Sequence, residues 1–171
     1  MTTIYSCFRS CDGKMNTVTI EVEISKGIGL HIIGLADNAT KTMLLRTVTA
    51  LQGLGYHIPG KKIVVNITPS QRETEGFDLA IALGILLESG QIPQLNPFKK
   101  GLIYGALTPA GGVLNPLEYI SPDDLLRHKH TEGFDWVLTY PSEVTQKYNS
   151  VGMHGFSNLR EVVEACKDAR I

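Results

Sequence analysis

The sequence has few cysteines, no strong excess of charge of either sign and no long uninterrupted apolar run. Its 3 cysteines, an odd number in 171 residues, do not form a disulfide framework and favour a reducing compartment. Cys7 and Cys11 lie close together, but no second pair at matching spacing completes a metal site, so we expect strand or turn thiols. No segment reaches the length of a transmembrane helix. The first residues do not follow a signal-peptide pattern, and we therefore expect a cytoplasmic protein without membrane contact.

The charge balance also narrows the choice of partners. A formal net charge of −1 gives no general attraction for phosphate backbones, which weakens nucleic-acid binding without excluding a small basic face. A hydrophobic content of 43% and a charged content of 19% are ordinary for a globular protein. The length suits one domain that buries its own core, so the sequence predicts a single domain over residues 1–171.

The apolar periodicity predicts strands in pairs early in the chain and strands alternating with helices later. We expect strands near residues 4–9, 18–25, 30–35, 61–68, 101–107 and 136–140, and helices after Asp37 or Asn38 and over residues 79–87, 125–129 and 158–167. The helix over residues 79–87 is apolar nearly all round, so it should be central and covered on most sides. This order of elements favours one mixed α/β domain, an α+β sandwich.

The most informative segment runs from Asn66 to Leu79, from the end of a strand through a polar loop onto the first turn of that central helix. A helix start of this kind leaves backbone amides unpaired, and such places often hold a nucleophile or an anion. The residue here is Asp78, a natural N-cap and a poor nucleophile. Glu73 and Glu75 lie in the same loop, where their pattern is that of a hydrated surface.

The segment from Gly55 to Lys62 imitates a phosphate-binding P-loop over seven positions. The eighth position should be Ser or Thr, to reach magnesium, and here it is Lys62. A P-loop follows a strand and precedes a helix, whereas this segment is predicted to follow a helix and precede a strand. Pro59 also removes one amide from the cradle. We therefore expect a connection between a helix and a strand, and we keep nucleotide binding only as a weaker alternative.

The residues show no signature of a known hydrolase. The five histidines are scattered, and none of the serines lies in a Gly-x-Ser-x-Gly elbow. A hydrolase with a rearranged site around Asp78 and Ser70 remains the alternative from the enzyme class.

Three motifs together resemble a known family. They are Ile33–Lys41, Ile58–Pro69 and Gly76–Leu86, and they match in order and spacing the patterns V-G-L-P-D-x-A-V-K-E, P-x-R-R-I-T-V-N-L-A-P and Y-D-L-P-I-A-L-G-I-L. These patterns are similar to the N-terminal domain of the magnesium-chelatase-like (ComM/YifB) proteins. The chain departs from them at Ala36, where the family usually has proline, and at Thr42, where it has glutamate. In the second half, Gly105–Leu107 and Gly111 resemble the family's G-E-L and glycine turn, while Leu114–Glu118 lacks its R-P-V-R-G.

The resemblance implies a fold similar to domain 2 of ribosomal protein S5 and to the proteolytic domain of Lon. Lon-type peptidases use a serine at a helix start with a desolvated lysine as its base. Matching the motifs places Asp78 at the serine position and Pro122 at the lysine position, and no lysine occurs between Lys100 and Lys129. Both members of the dyad are therefore missing, which predicts that the domain is not a peptidase, since a fold alone warrants no activity.

The resemblance further implies a domain that works beside an AAA+ ATPase module, for which the chain carries no Walker A or Walker B motif of its own. We expect a non-catalytic assembly or interaction domain, without a cofactor or metal, that packs on such a module or on itself. Some family members are linked to DNA branch migration and competence. Any nucleic-acid contact should be weak and would use Lys41, Arg46, Lys61 and Lys62.

Overall fold

The computed structural model describes residues 1–71, 76–116 and 120–171, apart from the side chains of residues 37 and 39. The loop carboxylates Glu73 and Glu75 lie outside the described residues. The strands are β1 (Thr2–Arg9), β2 (Met15–Ser25), β3 (Gly29–Leu35), β4 (Lys62–Gln71), β5 (Gly101–Ile103), β6 (Ala106–Leu107), β7 (Val113–Leu114), β8 (Trp136–Thr139) and β9 (Met153–Gly155). The helices are α1 (Asp37–Gly53), α2 (Asp78–Glu88), α3 (Pro122–Glu132), α4 (Glu143–Lys147) and α5 (Leu159–Lys167), with a 3-10 turn at Asn149–Val151.

The described strands form a seven-stranded sheet in the order β3-β4-β2-β1-β5-β8-β9 and a small hairpin of β6 and β7. β2 is antiparallel to both of its neighbours, β1 and β4, while the remaining pairs in the large sheet are parallel. Six strands therefore run in one direction and only β2 runs in the other. We call the end of the sheet where the six strands start the amino end, and the opposite end the carboxyl end. The mixed α/β architecture predicted from the sequence is confirmed.

Helix α2 lies at the centre of the core. It is buried from Asp78 to Leu87 and packs on β1, β2 and α1. At Gly84 an added Cβ would lie 2.7 Å from a methyl carbon of Val22, so the absence of a side chain lets the helix lie close to β2. The prediction of a central helix covered on most sides is confirmed.

Helix α3 covers the opposite face of the sheet. His128 of α3 is hydrogen-bonded to the hydroxyl of Thr17, at 2.9 Å, and Thr17 points away from the face that carries the buried Val18. Burial lowers the pKa of His128. The sheet thus has α1 and α2 on one face and α3 on the other, which gives a layered domain.

Several predicted boundaries were wrong. Helix α1 has Ala36 as its N-cap, not Asp37 or Asn38, and no side chain accepts a cap hydrogen bond there. The strand predicted over residues 101–107 is divided into β5 and β6, since the backbone of Gly105 bonds to Gly76 and Leu79 at the start of α2. The short elements α4 and β9 were not predicted. The closing helix was, and its cap Asn158 accepts from the amide of Glu161 at 3.0 Å.

Candidate functional site at the start of the central helix

Asp78 is the residue around which the carboxyl end of the sheet is organised. Its side chain is 0% exposed and forms a two-pronged ion pair with Arg46 of α1. Nε of Arg46 donates to Oδ2 at 2.9 Å, and Nη2 donates to Oδ1 at 3.2 Å. Oδ2 also accepts from the backbone amide of Leu107, at 3.0 Å. The carboxylate therefore connects α1, α2 and β6.

Asp78 is the first residue of α2 and not its N-cap, which corrects the prediction from the sequence. The N-cap is Phe77, and no side chain caps this end. Asp78 still lies in the first helical turn, where its negative charge is favoured by the helix dipole. Within the described part of the chain, however, its hydrogen bonds go to Arg46 of α1 and Leu107 of β6 and not back to its own helix. It therefore stabilises tertiary packing more than the helix end.

Backbone hydrogen bonds also connect the chain around Asp78 to a neighbouring segment. The amide of Gly105 donates to the carbonyl of Gly76 at 3.0 Å, and the amide of Leu79 donates to the carbonyl of Gly105 at 3.2 Å. The amide of Leu79 is therefore already used in a hydrogen bond and does not serve an oxyanion or phosphate. Residues 76–80 are all buried and are not open to solvent.

The chemistry available at this helix start is limited. A nucleophile in acyl transfer has to reach a substrate carbon, whereas both Asp78 oxygens are within hydrogen-bonding distance of Arg46 and one also of Leu107. A buried carboxylate paired with a guanidinium in this geometry is a stable internal contact. The arrangement supports a structural connection.

Pro122, the position matched to the lysine of the dyad, is the first residue of α3. Ser121 caps that helix in a capping box with Asp124, whose carboxylate also accepts from Arg9 and Arg127. Burial raises the pKa of Asp124, but hydrogen bonds from Ser121, Arg9 and Arg127 outweigh it and lower the pKa to about 2. The two dyad positions begin helices that pack on opposite faces of the sheet, and each start is occupied by structural contacts.

The cysteines are placed as the sequence predicted, in a strand and a turn. Cys7 is buried in β1, and Cys11 lies exposed in the turn after it. Burial, with a smaller contribution from Asp124, raises the pKa of the Cys7 thiol, so this thiol is unreactive at neutral pH. Among the described residues no group of three or more His, Cys, Asp or Glu side chains could hold a metal ion. No helix in the described part of the chain is long and apolar enough to cross a bilayer.

The four basic residues expected at a nucleic-acid contact do not form one group. Arg46 is engaged with Asp78, and its side chain is only 23% exposed. Lys41 is exposed near the start of α1, at the carboxyl end of the sheet. Lys61 and Lys62 are exposed where β4 begins, at the amino end. The sheet, about 30 Å long in β4, separates the two sets.

The P-loop imitation lies in the context that the sequence predicted. Helix α1 ends at Gly53, and Lys62 begins β4, so the segment connects a helix to a strand. None of residues 55–61 lies at the start of a helix. The expectation of a helix-to-strand connection is confirmed.

The sequence did not predict the pairing of Arg46 with Asp78, because Arg46 is grouped there with three lysines as an expected nucleic-acid contact. One signal could have found it. In α1 the buried residues Met43, Thr47 and Ala50 recur with helical spacing, and Arg46 lies on the same face between them. An arginine on the buried face of a helix needs an acidic partner, and the buried helix start at Asp78 offers one.

The comparisons with known proteins agree with this description. Residues 20–138 match the family model described as "Subunit ChlI of Mg-chelatase". This match covers well over half of the chain, and the protein therefore belongs to the magnesium-chelatase ChlI family.

Curated relatives are similar over a shorter stretch. Uncharacterized protein YifB of Escherichia coli is 40% identical over 78 residues, and Competence protein ComM of Haemophilus influenzae is 41% identical over 78 residues. Each match covers 44% of this chain and 15% of the relative. YifB of Salmonella typhimurium is 39% identical over 82 residues, which is 46% of this chain and 16% of that protein. The chain thus corresponds to a small part of each relative's length.

Proposed function

We propose that this chain is a non-catalytic assembly domain of a ComM-type magnesium-chelatase-like protein, which packs on an AAA+ ATPase module or on itself and serves DNA processing. One observation carries the proposal. At the helix start where a Lon-like fold would hold its nucleophile, the residue is Asp78, fully buried and paired with Arg46. At this helix start the polar groups make contacts that stabilise the domain itself, which fits a domain whose role is to pack on a partner.

The family relationship supports the setting of the proposal. The relatives include a protein named for competence, and the chain matches only about 15% of that protein's length. A domain of this size beside a much longer remainder fits a role in assembly. We also propose a cytoplasmic location, on the ground of free thiols at Cys7, Cys11 and Cys166.

The first experiment tests the absence of peptidase activity. We expect no release of labelled peptides from casein by this chain, with or without an AAA+ module of the same family and ATP. Two conservative variants, Asp78→Asn and Ser70→Ala, serve as controls after circular dichroism has shown that they fold. Casein cleavage that either variant abolishes would establish the hydrolase alternative and contradict the proposal.

The second experiment tests nucleotide binding at residues 55–62. We expect no saturable heat on titration of magnesium-ATP, because this connection presents neither a helix start nor a hydroxyl at its eighth position. A calorimetric signal that is lost in Lys61→Ala would favour the nucleotide-binding alternative.

The third experiment tests assembly directly. Sedimentation of the chain alone and mixed with the AAA+ module of a ComM-type protein should show either self-association or a mixed complex. If the chain stayed a monomer at every concentration and sedimented independently of the AAA+ module, the assembly role would be contradicted.

A further inference from the structure

The topology collects exposed lysines at the amino end of the sheet. Lys26 follows the end of β2, Lys61 and Lys62 are at the start of β4, and Lys99 and Lys100 immediately precede β5. Because β2 runs opposite to β4 and to β1, which is parallel to β5, these strand ends meet at the same end of the sheet. All five lysines are exposed, and none forms an ion pair with a described residue.

Two of the loops that carry these lysines are joined to each other. The side-chain amide of Gln91 donates to the carbonyl of His57 at 3.0 Å, and the amide of His57 donates to Oε1 of Gln91 at 3.1 Å. The loop before β4 and the loop before β5 therefore form one continuous surface. Lys61 and Lys99 belong to this surface although 38 positions separate them in the sequence.

A cleft of about 440 Å³ opens on the same end of the sheet. Its walls are the start of β1 and the loop of residues 94–100, and its apolar lining includes Leu87, Leu95 and Trp136. The indole of Trp136 lies directly against Gly101, where an added Cβ would come 2.0 Å from a ring carbon. Trp136 is only 6% exposed, so it contributes to the wall of the cleft but not an open aromatic face.

Phe98 is the most exposed large apolar side chain of this end, at 93%. Its position is defined by a turn, since Oδ1 of Asn96 accepts from the amide of Phe98 at 2.9 Å and the carbonyl of Asn96 accepts from the amide of Lys99 at 3.2 Å. A phenyl ring that buries almost nothing in the fold contributes little to its stability. It is held next to two cations and at the edge of the cleft.

Several acidic groups at this end are engaged with partners other than the lysine ammonium groups. Glu88 is paired with the amino group of Met1 at 3.2 Å and accepts from the hydroxyl of Thr2. Asp135 accepts from the backbone amide of Lys100, and Asp168 is paired with Arg170. The ammonium of Lys100 lies 4.7 Å and 4.6 Å from the ring centres of Tyr5 and Phe134, in cation–π contact with both. Five exposed lysines thus lie at one end of the sheet in a protein whose net charge is −1.

We propose that the amino end of the sheet binds single-stranded nucleic acid, with one base stacked on Phe98, the adjoining nucleotide in the cleft, and phosphates on Lys99 and the Lys61–Lys62 pair. An exposed aromatic ring beside a groove with lysines is the combination that binds unpaired bases without reading their sequence. A duplex keeps its base faces stacked inside and would use only the lysines. An acidic peptide would likewise gain the charges but not the stacking. The exposed ring therefore favours a single strand over both.

The test measures fluorescence anisotropy of a labelled oligothymidine titrated with the full chain at low salt. We expect Phe98→Ala to weaken binding about tenfold, the loss typical of one stacked base. Lys99→Gln should weaken binding as well and should reduce the slope of log affinity against log salt by about 0.7, one phosphate contact on a single strand. Lys100 is left unchanged because it packs on two aromatic rings of the fold.

The controls use matched residues away from this surface. Leu45→Ala removes another exposed apolar side chain, at 70% exposure, and Lys14→Gln removes an exposed lysine in the turn between β1 and β2. Both should bind as the wild type does, while thermal melting should show all four variants equally folded.

Three outcomes would overturn the inference. They are no measurable binding, equal affinity of Phe98→Ala and wild type, and competition by polyglutamate as strong as by unlabelled oligothymidine. The inference adds a binding surface to the proposed assembly role and does not depend on it. Sedimentation with the AAA+ module tests assembly separately, so failure of one leaves the other standing.

Discussion

The two ends of the seven-stranded sheet use their charges in opposite ways. At the carboxyl end, Asp78 and Asp124 lie in first helical turns, and each is paired with an arginine from another element. At the amino end, lysines such as Lys99 are exposed and unpaired among the described residues, next to the exposed ring of Phe98. The first kind of charge holds the domain together, whereas the second kind is available to a partner. In open α/β sheets ligands commonly bind at the carboxyl end, and here Asp78 and Asp124 at that end are held in internal ion pairs.

The largest effect on stability should come from removing the carboxylate of Asp78 at the carboxyl end. Asp78→Ala leaves the Arg46 guanidinium and the Leu107 amide without their acceptor in a buried place, which should lower the free energy of unfolding by about 3–5 kcal/mol. Urea denaturation followed by circular dichroism measures it. Lys99→Ala, at the amino end, should stay within about 0.5 kcal/mol of wild type. If the two variants lost equal stability, the contrast between the ends would fail.

A double-mutant cycle sharpens the same point. Arg46→Met leaves a buried carboxylate without its cation, so on its own it should destabilise strongly. When Asp78→Asn is added, the second change should cost less than it does in the wild type, because no charge is left to compensate. We expect a coupling energy of about 1–3 kcal/mol between the two positions. Strictly additive losses would mean that the observed pair contributes no net interaction.

A smaller loss of stability should follow from changing Asp124, whose carboxylate pairs with two arginines at the carboxyl end. Asp124→Ala removes the capping-box acceptor of α3 and the partner of Arg9, and should cost about 1 kcal/mol. Arg127→Ala removes only an exposed partner and should be nearly neutral. The comparison of the two in thermal melting separates the cap from the ion pair. An equal loss in both variants would assign the stability to the surface pair.

The smallest effect is a change in the shape of the acid denaturation curve. The folded-state pKa of Asp124 is about 2, below its ordinary value of 3.8, so the folded state favours the charged form. Its contribution is complete above about pH 4 and is lost as the pH falls towards 2. Asp124→Asn should therefore show a shallower loss of stability over this range. An unchanged slope would show that other carboxylates carry the acid sensitivity.

Sequence patterns predicted most of the architecture because strands and helices follow from apolar spacing, which is local. The alternation in β2 and the uniform apolarity of α2 were sufficient for that. The short elements α4 and β9 were missed because five and three residues carry too little periodicity to stand out.

The site was harder to predict because its contacts are long-range. Arg46 and Asp78 are separated by 32 positions, and nothing in either motif states that they meet. The surface around Phe98 arises from four strand ends that only the sheet topology brings together. Lys41 and Lys61, expected together at one nucleic-acid contact, lie at opposite ends of the sheet.

The contact between Arg46 and Asp78 also places a constraint on insertions and deletions. Each residue turns an α-helix by about 100°, so one residue gained or lost between Leu35 and Arg46 would point the guanidinium away from α2. The number of residues in the first turns of α1 is therefore as restricted as the identity of Arg46 itself. Grafts or chimaeras joined within this segment have to keep its length, whereas the exposed turn at Asn96–Lys99 tolerates a change of length far more readily.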